Sequence, residues 1–171
     1  MTHLTNYSLG ASYCRKTFLK GGVSIFVYRN LKYNTINIDE YNINKDTEAC
    51  AIQLVSNFNK VCILAIYRSP SGDFTNFLKC LDLILQKLYS NKYNTVICGD
   101  VNANYLIYHN RNRQLDAPIC SYNLVGIVEF PSRFVLNSQI ATDNVFIDTS
   151  TIGEYELYPV KMESHFMTPS C

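Results

Sequence analysis

The stretch that decides the fold runs from residue 61 to residue 102 and reads VCILAIYRSPSGDFTNFLKCLDLILQKLYSNKYNTVICGDVN. Its first seven residues are apolar or aromatic throughout, which is typical of a β-strand covered on both faces. Between Phe74 and Leu88 apolar residues recur every three or four positions, so residues 73–90 are predicted to form a helix. Residues 95–98 then predict a second buried strand. A strand, a covering helix and another strand indicate a layered α/β domain.

Outward from this core the sequence predicts further strands separated by polar loops. Runs of β-favouring residues mark them at residues 23–28, 49–55, 144–148 and 156–160. The polar residues 56–60 fit a hairpin loop of about five residues between two of the strands. Residues 103–122 are rich in Asn, Tyr and Arg without a clear period, so we predict a loop with at most one short helix.

Composition limits both the architecture and the class of partner. With 171 residues, 47% of them hydrophobic, the chain fits a single domain over residues 1–171. Fifteen basic against fourteen acidic residues give a net charge of +1, which argues against a strongly basic nucleic-acid-coating protein and against an acidic tail. Any nucleic acid would therefore have to bind to a local patch of the protein surface.

Cysteine usage and hydropathy indicate the compartment. The seven cysteines are widely spaced and include no CxxC pair, which argues against a disulfide framework and a structural zinc site. No apolar run reaches the ~18 residues that a membrane span needs, and the first residues lack a secretory pattern. We therefore expect a protein of the nucleus or cytoplasm that is neither secreted nor membrane-spanning.

Asp100 and Asn102 are the first candidates for catalysis. They lie two residues apart just beyond a buried strand, the place where open α/β sheets present functional groups. A carboxylate that orients water or binds a hard cation, next to a neutral amide, suits hydrolysis of a phosphodiester. The alternative is an ordinary Gly-Asp-x-Asn turn whose side chains bond their own backbone.

Tyr67 and Arg68 end the first strand and are candidates for phosphate binding. A phenol donates to one phosphate oxygen, and a guanidinium clamps a phosphate with two parallel hydrogen bonds. The alternative is that Tyr67 packs at an edge of the sheet and that Arg68 is solvated.

The polar segment 131–144 offers further donors for a nucleic-acid backbone, namely Arg133, Asn137 and Thr142. An ordinary solvated loop has the same composition. His165, if held by a carboxylate such as Asp143, would act as a general base or bind phosphate. An exposed histidine without a role is the alternative.

Taken together, these segments resemble the endonuclease/exonuclease/phosphatase superfamily, and most closely the endonuclease domain of jockey-type non-LTR retrotransposons. The resemblance runs in order over residues 7–165. It rests on Tyr13-Cys14-Arg15, Gly21-Gly22-Val23, Tyr67-Arg68-Ser69-Pro70, Gly99-Asp100-Val101-Asn102, Phe130-Pro131-Ser132-Arg133, ATDNVFI at 141–147 and Glu163-Ser164-His165.

The resemblance implies a DNase I-like α/β fold, in which two β-sheets pack as a sandwich with helices on the outside. It implies a Mg²⁺- or Mn²⁺-dependent phosphodiesterase that nicks DNA. Tyr67 would contact the scissile phosphate, Asp100 would orient or deprotonate the attacking water, and Asn102 would help to position both. Asp143 would orient His165. DNA would be the substrate, and a reverse transcriptase domain encoded by the same element would be a partner.

Two departures from the family pattern alter this expectation. The family's N-terminal Asn and metal-binding Glu precede the Gly21-Gly22 run, and the sequence begins after them, so we expect the fold to be incomplete. Glu48 starts a different strand and does not inherit the metal role, which leaves Asp100 as a candidate ligand. Ser164 stands where the family has Asp, with Glu163 one step earlier, and a shift of one residue turns a strand side chain to the opposite face.

We therefore expect weak or no nuclease activity, because losing members of a cooperative catalytic unit costs about 10⁴ to 10⁶ in rate. The alternative function is a non-catalytic relic or DNA-interaction module that keeps the fold. A small phosphoester such as a phosphoinositide is a third candidate substrate, but the run at 130–147 favours DNA.

Overall fold

The computed structural model describes residues 4–15, 21–55, 60–90, 93–106, 110–135 and 138–151. The strands among them are β1 (Tyr7–Tyr13), β2 (Val23–Tyr28), β3 (Tyr33–Ile36), β4 (Glu48–Leu54), β5 (Val61–Tyr67), β6 (Asn94–Asp100), β7 (Leu124–Gly126), β8 (Arg133–Val135), β9 (Ser138–Ile140) and β10 (Asp143–Asp148). The helices are α1 (Phe74–Ser90) and α2 (Asn110–Ser121), and short 3₁₀ turns span Asp39–Tyr41 and Thr149–Thr151.

Six strands form the central sheet, in the order β3-β4-β5-β6-β10-β7. β5 and β6 are parallel and are connected through α1, whereas the other neighbouring pairs in this sheet are antiparallel. A parallel pair needs such a crossover, which is why the predicted strand–helix–strand stretch lies at the centre of the sheet. β1 and β2 form a separate antiparallel pair, and β8 and β9 form another.

The side chains of β5 alternate between two cores. Leu64 and Ile66 pack with Phe77 and Ile84 of α1 in the larger core, on the helix side of the sheet. Ala65 faces the other way, into a smaller core with residues of β1, β2 and β4, namely Ala11, Ile25, Val27, Cys50 and Ile52. Helices, central sheet and β1–β2 pair thus form three layers, and the predicted two-sheet sandwich with helices outside is confirmed.

Most of the predicted elements are confirmed, with small shifts at their ends. The strands expected at 23–28, 49–55, 61–67, 95–98 and 144–148 are β2, β4, β5, β6 and β10. The helix expected over 73–90 is α1, and Asp73 caps it by accepting a hydrogen bond from the Asn76 N–H at 2.8 Å. The strand expected at 156–160 lies outside the described residues.

The one short helix that the sequence allowed within 103–122 is α2, which takes up the second half of that segment. Leu115 and Ile119, one helical turn apart, are fully buried apolar side chains of this helix, and Pro118 lies inside it. So few apolar residues leave no period to detect in the sequence. Neither described helix is long and apolar enough to cross a membrane.

Candidate active site

Four polar side chains form a row across the ends of four neighbouring strands of the central sheet, which is called the site edge below. They are Glu48 on β4, Tyr67 on β5, Asp100 on β6 and Asp143 on β10. Glu48 lies opposite Tyr67 in the β4–β5 register, and Asp100 lies opposite Asp143 in the β6–β10 register. The Arg68 N–H donates to the Asp100 carbonyl at 3.0 Å and so extends the pairing of β5 with β6. The sheet therefore brings Tyr67, Asp100 and Asp143 together, as a common site requires.

The strand alternation places this row on the face that carries the β1–β2 pair. Ala65 and Cys98, two residues before Tyr67 and Asp100, belong to the core beneath that pair. Phe146, three residues after Asp143, lies in the helix-side core, so Asp143 points away from the helices. The row therefore lies at the end of the sandwich, between the central sheet and the β1–β2 pair.

Burial is the first influence on the Asp100 carboxyl, and it raises the pKa of that group above the ordinary value. The N–H of Asn102 donates to its Oδ1 at 2.9 Å and opposes this rise, as do the Thr142 side chain and the charge of Arg133. The facing Asp143 adds to the rise in the pKa of Asp100. A carboxyl group with a raised pKa accepts a proton more readily than an ordinary one.

The turn after β6 has the backbone geometry that the sequence alternative described. Asn102 has φ +50°, and its N–H bonds the Asp100 carboxylate, as in an ordinary Asx turn. Gly99 has φ +149°, and a Cβ there would overlap the Ile66 carbonyl oxygen of β5. One amide N–H of the Asn102 side chain donates to the Arg68 carbonyl at 2.6 Å, so this side chain also ties the turn to β5. Asp100 and Asn102 therefore form the turn of the sequence alternative and also belong to the candidate site.

Arg68, the predicted phosphate clamp, lies in the interior beneath the site. The residue is 2% exposed. Its guanidinium donates to the backbone carbonyls of Val101 and Asn102 at 2.9 Å, and to those of Ser69 and Gly72 at 3.2 Å. These bonds tie the turn after β6 to the segment after β5, so Arg68 supports the backbone of the site.

Thr142, a predicted DNA contact, is buried, and its side chain acts on the Asp100 carboxyl to lower the pKa of that group. Arg133 on β8 is exposed and lies close enough for its charge to act on Asp100. Asn137 and His165 lie outside the described residues, so the contact of His165 with Asp143 stays a prediction.

Sequence reasoning missed the ion pair between Arg15 and Glu48. The Glu48 side chain is fully buried beside Tyr67, and two of its partners, Gly22 and Arg15, lie 26 and 33 residues away in the chain. No local pattern marks such a contact. The resemblance did single out Arg15 and the two glycines at 21 and 22, which was the available signal.

Asp100 and Asp143 are two facing carboxylates at this site that could coordinate a divalent cation. Among the described residues, no group of three or more His, Cys, Asp or Glu side chains is arranged to hold a metal. Mg²⁺, however, commonly binds through one or two carboxylates and completes its shell with water and substrate phosphate oxygens. Asp100 and Asp143, which face each other, supply two such carboxylates.

Comparison with solved structures identifies the fold. The endonuclease domain of TRAS1, a telomere-specific non-LTR retrotransposon, matches with a TM-score of 0.67 and 13% identity over 87% of this chain and 70% of that one. An endonuclease/exonuclease/phosphatase family protein from Bacteroides thetaiotaomicron matches with a TM-score of 0.55 and 14% identity over 85% of this chain and 62% of that one. The chain has the endonuclease/exonuclease/phosphatase fold.

D. rerio TDP2, in a complex with single-strand DNA product, shares this endonuclease/exonuclease/phosphatase fold with a TM-score of 0.52 and 12% identity over 85% of this chain and 64% of that one. The chain thus spans less than two thirds of two of these three proteins. Comparison with protein-family profiles finds no match, and comparison with curated proteins finds none either. The DNase I-like class expected from the sequence is confirmed at the level of the fold.

Proposed function

We propose that this chain is a metal-dependent phosphodiesterase that nicks DNA by hydrolysing one bond of its backbone. The observation that carries the proposal is the facing pair of Asp100 and Asp143, with Tyr67 on the next strand, at the site edge of a nuclease-type fold. A fold alone does not determine an activity, so the proposal depends on these side chains and their chemistry.

Asp100 has the central role in the proposed reaction. Its carboxylate orients a water molecule for in-line attack on phosphorus and accepts the proton of that water as the new P–O bond forms. The bond from phosphorus to the leaving sugar oxygen breaks, and that oxygen takes up a proton. The raised pKa of Asp100 favours the transfer, because a general base works best when its pKa approaches the working pH.

Tyr67 and Asn102 have supporting roles. The Tyr67 hydroxyl donates a hydrogen bond to a non-bridging phosphate oxygen, where negative charge increases in the transition state. Asn102 holds the turn that carries Asp100 through its bonds to Asp100 and to the Arg68 carbonyl. Asp143 is proposed to orient His165 as a phosphate ligand or base.

Asp100, with Asp143 facing it, would hold Mg²⁺ or Mn²⁺, and such an ion would supply positive charge against the charge that develops on the phosphate. Asp100 is the ligand that the sequence analysis also named. The carboxylate oxygens of this pair are the hard donors that these cations prefer.

DNA is the proposed substrate, and Arg133 is a proposed contact for its phosphates. Its exposed guanidinium on β8 adds a positive charge that acts on Asp100. Asn137 is a proposed contact in the same segment. A reverse transcriptase domain of the same element is a proposed partner, and this rests on the retrotransposon-type motifs.

The experiment that tests the proposal is nicking of supercoiled plasmid by the purified chain in Mg²⁺, in Mn²⁺ and in EDTA. DNA binding is measured in parallel, by fluorescence anisotropy of a labelled duplex, and circular dichroism establishes that the protein is folded. We expect a low yield of open-circular product in either metal, because the sequence departs from the family's metal-binding pattern, and none in EDTA.

Two other outcomes have distinct meanings. A folded protein that binds the duplex but leaves the plasmid supercoiled in both metals contradicts the enzyme and supports the DNA-interaction module. Nicking that persists unchanged in EDTA contradicts metal dependence.

A further inference from the structure

Glu48 is a buried carboxylate that the proposed reaction does not use. It is the first residue of β4, and its side chain is fully buried. Donors from three segments surround it: the Arg15 Nε, the Gly22 N–H at 2.6 Å and the Lys45 N–H at 2.8 Å. A carboxylate removed from water is unfavourable unless it is paired and hydrogen-bonded, and Glu48 is both.

Gly21 and Gly22 make room for the ion pair between Glu48 and Arg15. Both glycines have positive φ, 115° and 105°, which side chains with a Cβ rarely adopt. A Cβ on Gly21 would overlap the Arg15 guanidinium, and a Cβ on Gly22 would lie 2.6 Å from the Tyr13 carbonyl oxygen. The glycine pair therefore lets the chain that enters β2 pass close to Arg15 while the Gly22 N–H reaches Glu48.

Arg15 connects Glu48 to Tyr67. Tyr67 lies directly opposite Glu48 in the sheet, and the Cζ of Arg15 lies 5.7 Å from the centroid of the Tyr67 ring. At this distance a guanidinium is attracted to the face of a phenol ring. The Arg15 side chain is only 8% exposed, and the carboxylate and the ring both constrain its position.

We propose that Arg15 is a positioning residue for Tyr67, and that Glu48 is the carboxylate that fixes Arg15. The pair holds the phenol ring so that its hydroxyl reaches the phosphate that Asp100 addresses. This inference rests on the proposed function, since it gives Tyr67 a substrate contact. Arg15 acts through Tyr67 and does not itself touch the substrate.

Loss of the Arg15 contact with the Tyr67 ring should lower the rate of DNA nicking. Misplacing a contacting group by about 1 Å costs on the order of 10²-fold in rate. Arg15→Lys keeps a positive charge beside Glu48 but loses the flat guanidinium against the ring. We expect it to lower the single-turnover rate at saturating protein by about 10- to 100-fold, with little change in the concentration that half-saturates the DNA.

A double-mutant cycle with Tyr67→Phe distinguishes positioning from a general loss of structure. If Arg15 acts through the Tyr67 hydroxyl, Arg15→Lys has little further effect once that hydroxyl is gone. Arg29→Lys is the matched control, because Arg29 is exposed and follows β2 at the opposite end of the β1–β2 pair. It should leave the rate unchanged.

A second readout does not depend on nuclease activity. With ¹³C-labelled tyrosine, the Tyr67 ring resonance is assigned by its loss in Tyr67→Phe. Arg15→Lys and Glu48→Gln should both shift that resonance, whereas Arg29→Lys should not. Such shifts support the positioning contact even if no plasmid is nicked, in which case only the proposed function fails.

Two results would overturn the inference. One is an Arg15→Lys protein in which the Tyr67 resonance is unmoved. The other is an equal loss of rate from Arg15→Lys in the Tyr67 and Phe backgrounds, which would make the effect independent of the phenol.

Discussion

Arg68→Met removes a buried guanidinium that donates to four backbone carbonyls, two at 2.9 Å and two at 3.2 Å. A hydrogen bond from a charged donor contributes about 1.5–3 kcal/mol. Counting only the two shorter bonds gives roughly 3–6 kcal/mol, and burial of the methionine offsets part of that loss. We therefore expect the free energy of unfolding to fall by about 3–4 kcal/mol. For a domain of this size that lowers the Tm by about 6–16 °C.

Urea unfolding followed by far-ultraviolet circular dichroism measures the loss, and Arg133→Met is the matched control. Both variants lose one positive charge, but Arg133 is exposed and should change stability by no more than about 0.5 kcal/mol. A structural arginine and a phosphate-binding arginine can be distinguished in this way. Loss of a phosphate contact weakens DNA binding and leaves the free energy of unfolding unchanged. An Arg68→Met protein with wild-type stability and reduced DNA affinity would refute the structural role.

Three further predictions concern the turn after β6. Gly99→Ala places a Cβ against the Ile66 carbonyl at φ +149° and should cost about 2 kcal/mol or more, measured by the same urea titration. Asn102→Ala loses the 2.6 Å bond to the Arg68 carbonyl and strains a residue at φ +50°, so we expect about 2 kcal/mol of destabilisation, less in Asn102→Gly. Asp100→Asn should stabilise the fold at neutral pH, measured by urea unfolding at about pH 3 and about pH 7.

The sign of the last effect follows from the pKa of Asp100, which burial raises in the folded state. A raised pKa means that the folded protein binds the proton more tightly than the unfolded chain. The stabilising contribution is therefore full below the ordinary carboxyl pKa and is lost as the pH rises through the raised pKa. Asn carries no such loss, so the gain should vanish in acid. An Asp100→Asn protein that is less stable than wild type at neutral pH would contradict this account.

The central strands were predictable because their pattern is local. Every residue of β5 is apolar or aromatic, and the structure covers both faces of that strand, as the run implied. β1 was missed because YSLGASY has no clear alternation, and most of its side chains are exposed. It is held by pairing with β2 and by packing against β4, which are contacts that its own sequence does not reveal.

The site was predictable in part for the same reason. Asp100 and Asn102 follow a readable strand, so their place at the site edge followed from the sequence, and the register adds Asp143 beside Asp100. Arg68 shows the limit of such reasoning. Its position after Tyr67 suits a phosphate clamp, and only the fold reveals that the turn from Val101 to Asn102 and the segment from Ser69 to Gly72 enclose it.

The most direct test of the central claim is whether DNA hydrolysis occurs at the site edge, where β5, β6 and β10 meet. The measurement is the rate of Mg²⁺-dependent plasmid nicking by Asp100→Asn compared with Asp82→Asn. Asp82 is exposed on α1, on the other side of the central sheet, and accepts a hydrogen bond from the Tyr122 hydroxyl at 3.0 Å. The account predicts that Asp100→Asn loses about 10³- to 10⁴-fold in rate while Asp82→Asn keeps the wild-type rate. Equal rates for the two variants, with both proteins folded, would contradict it.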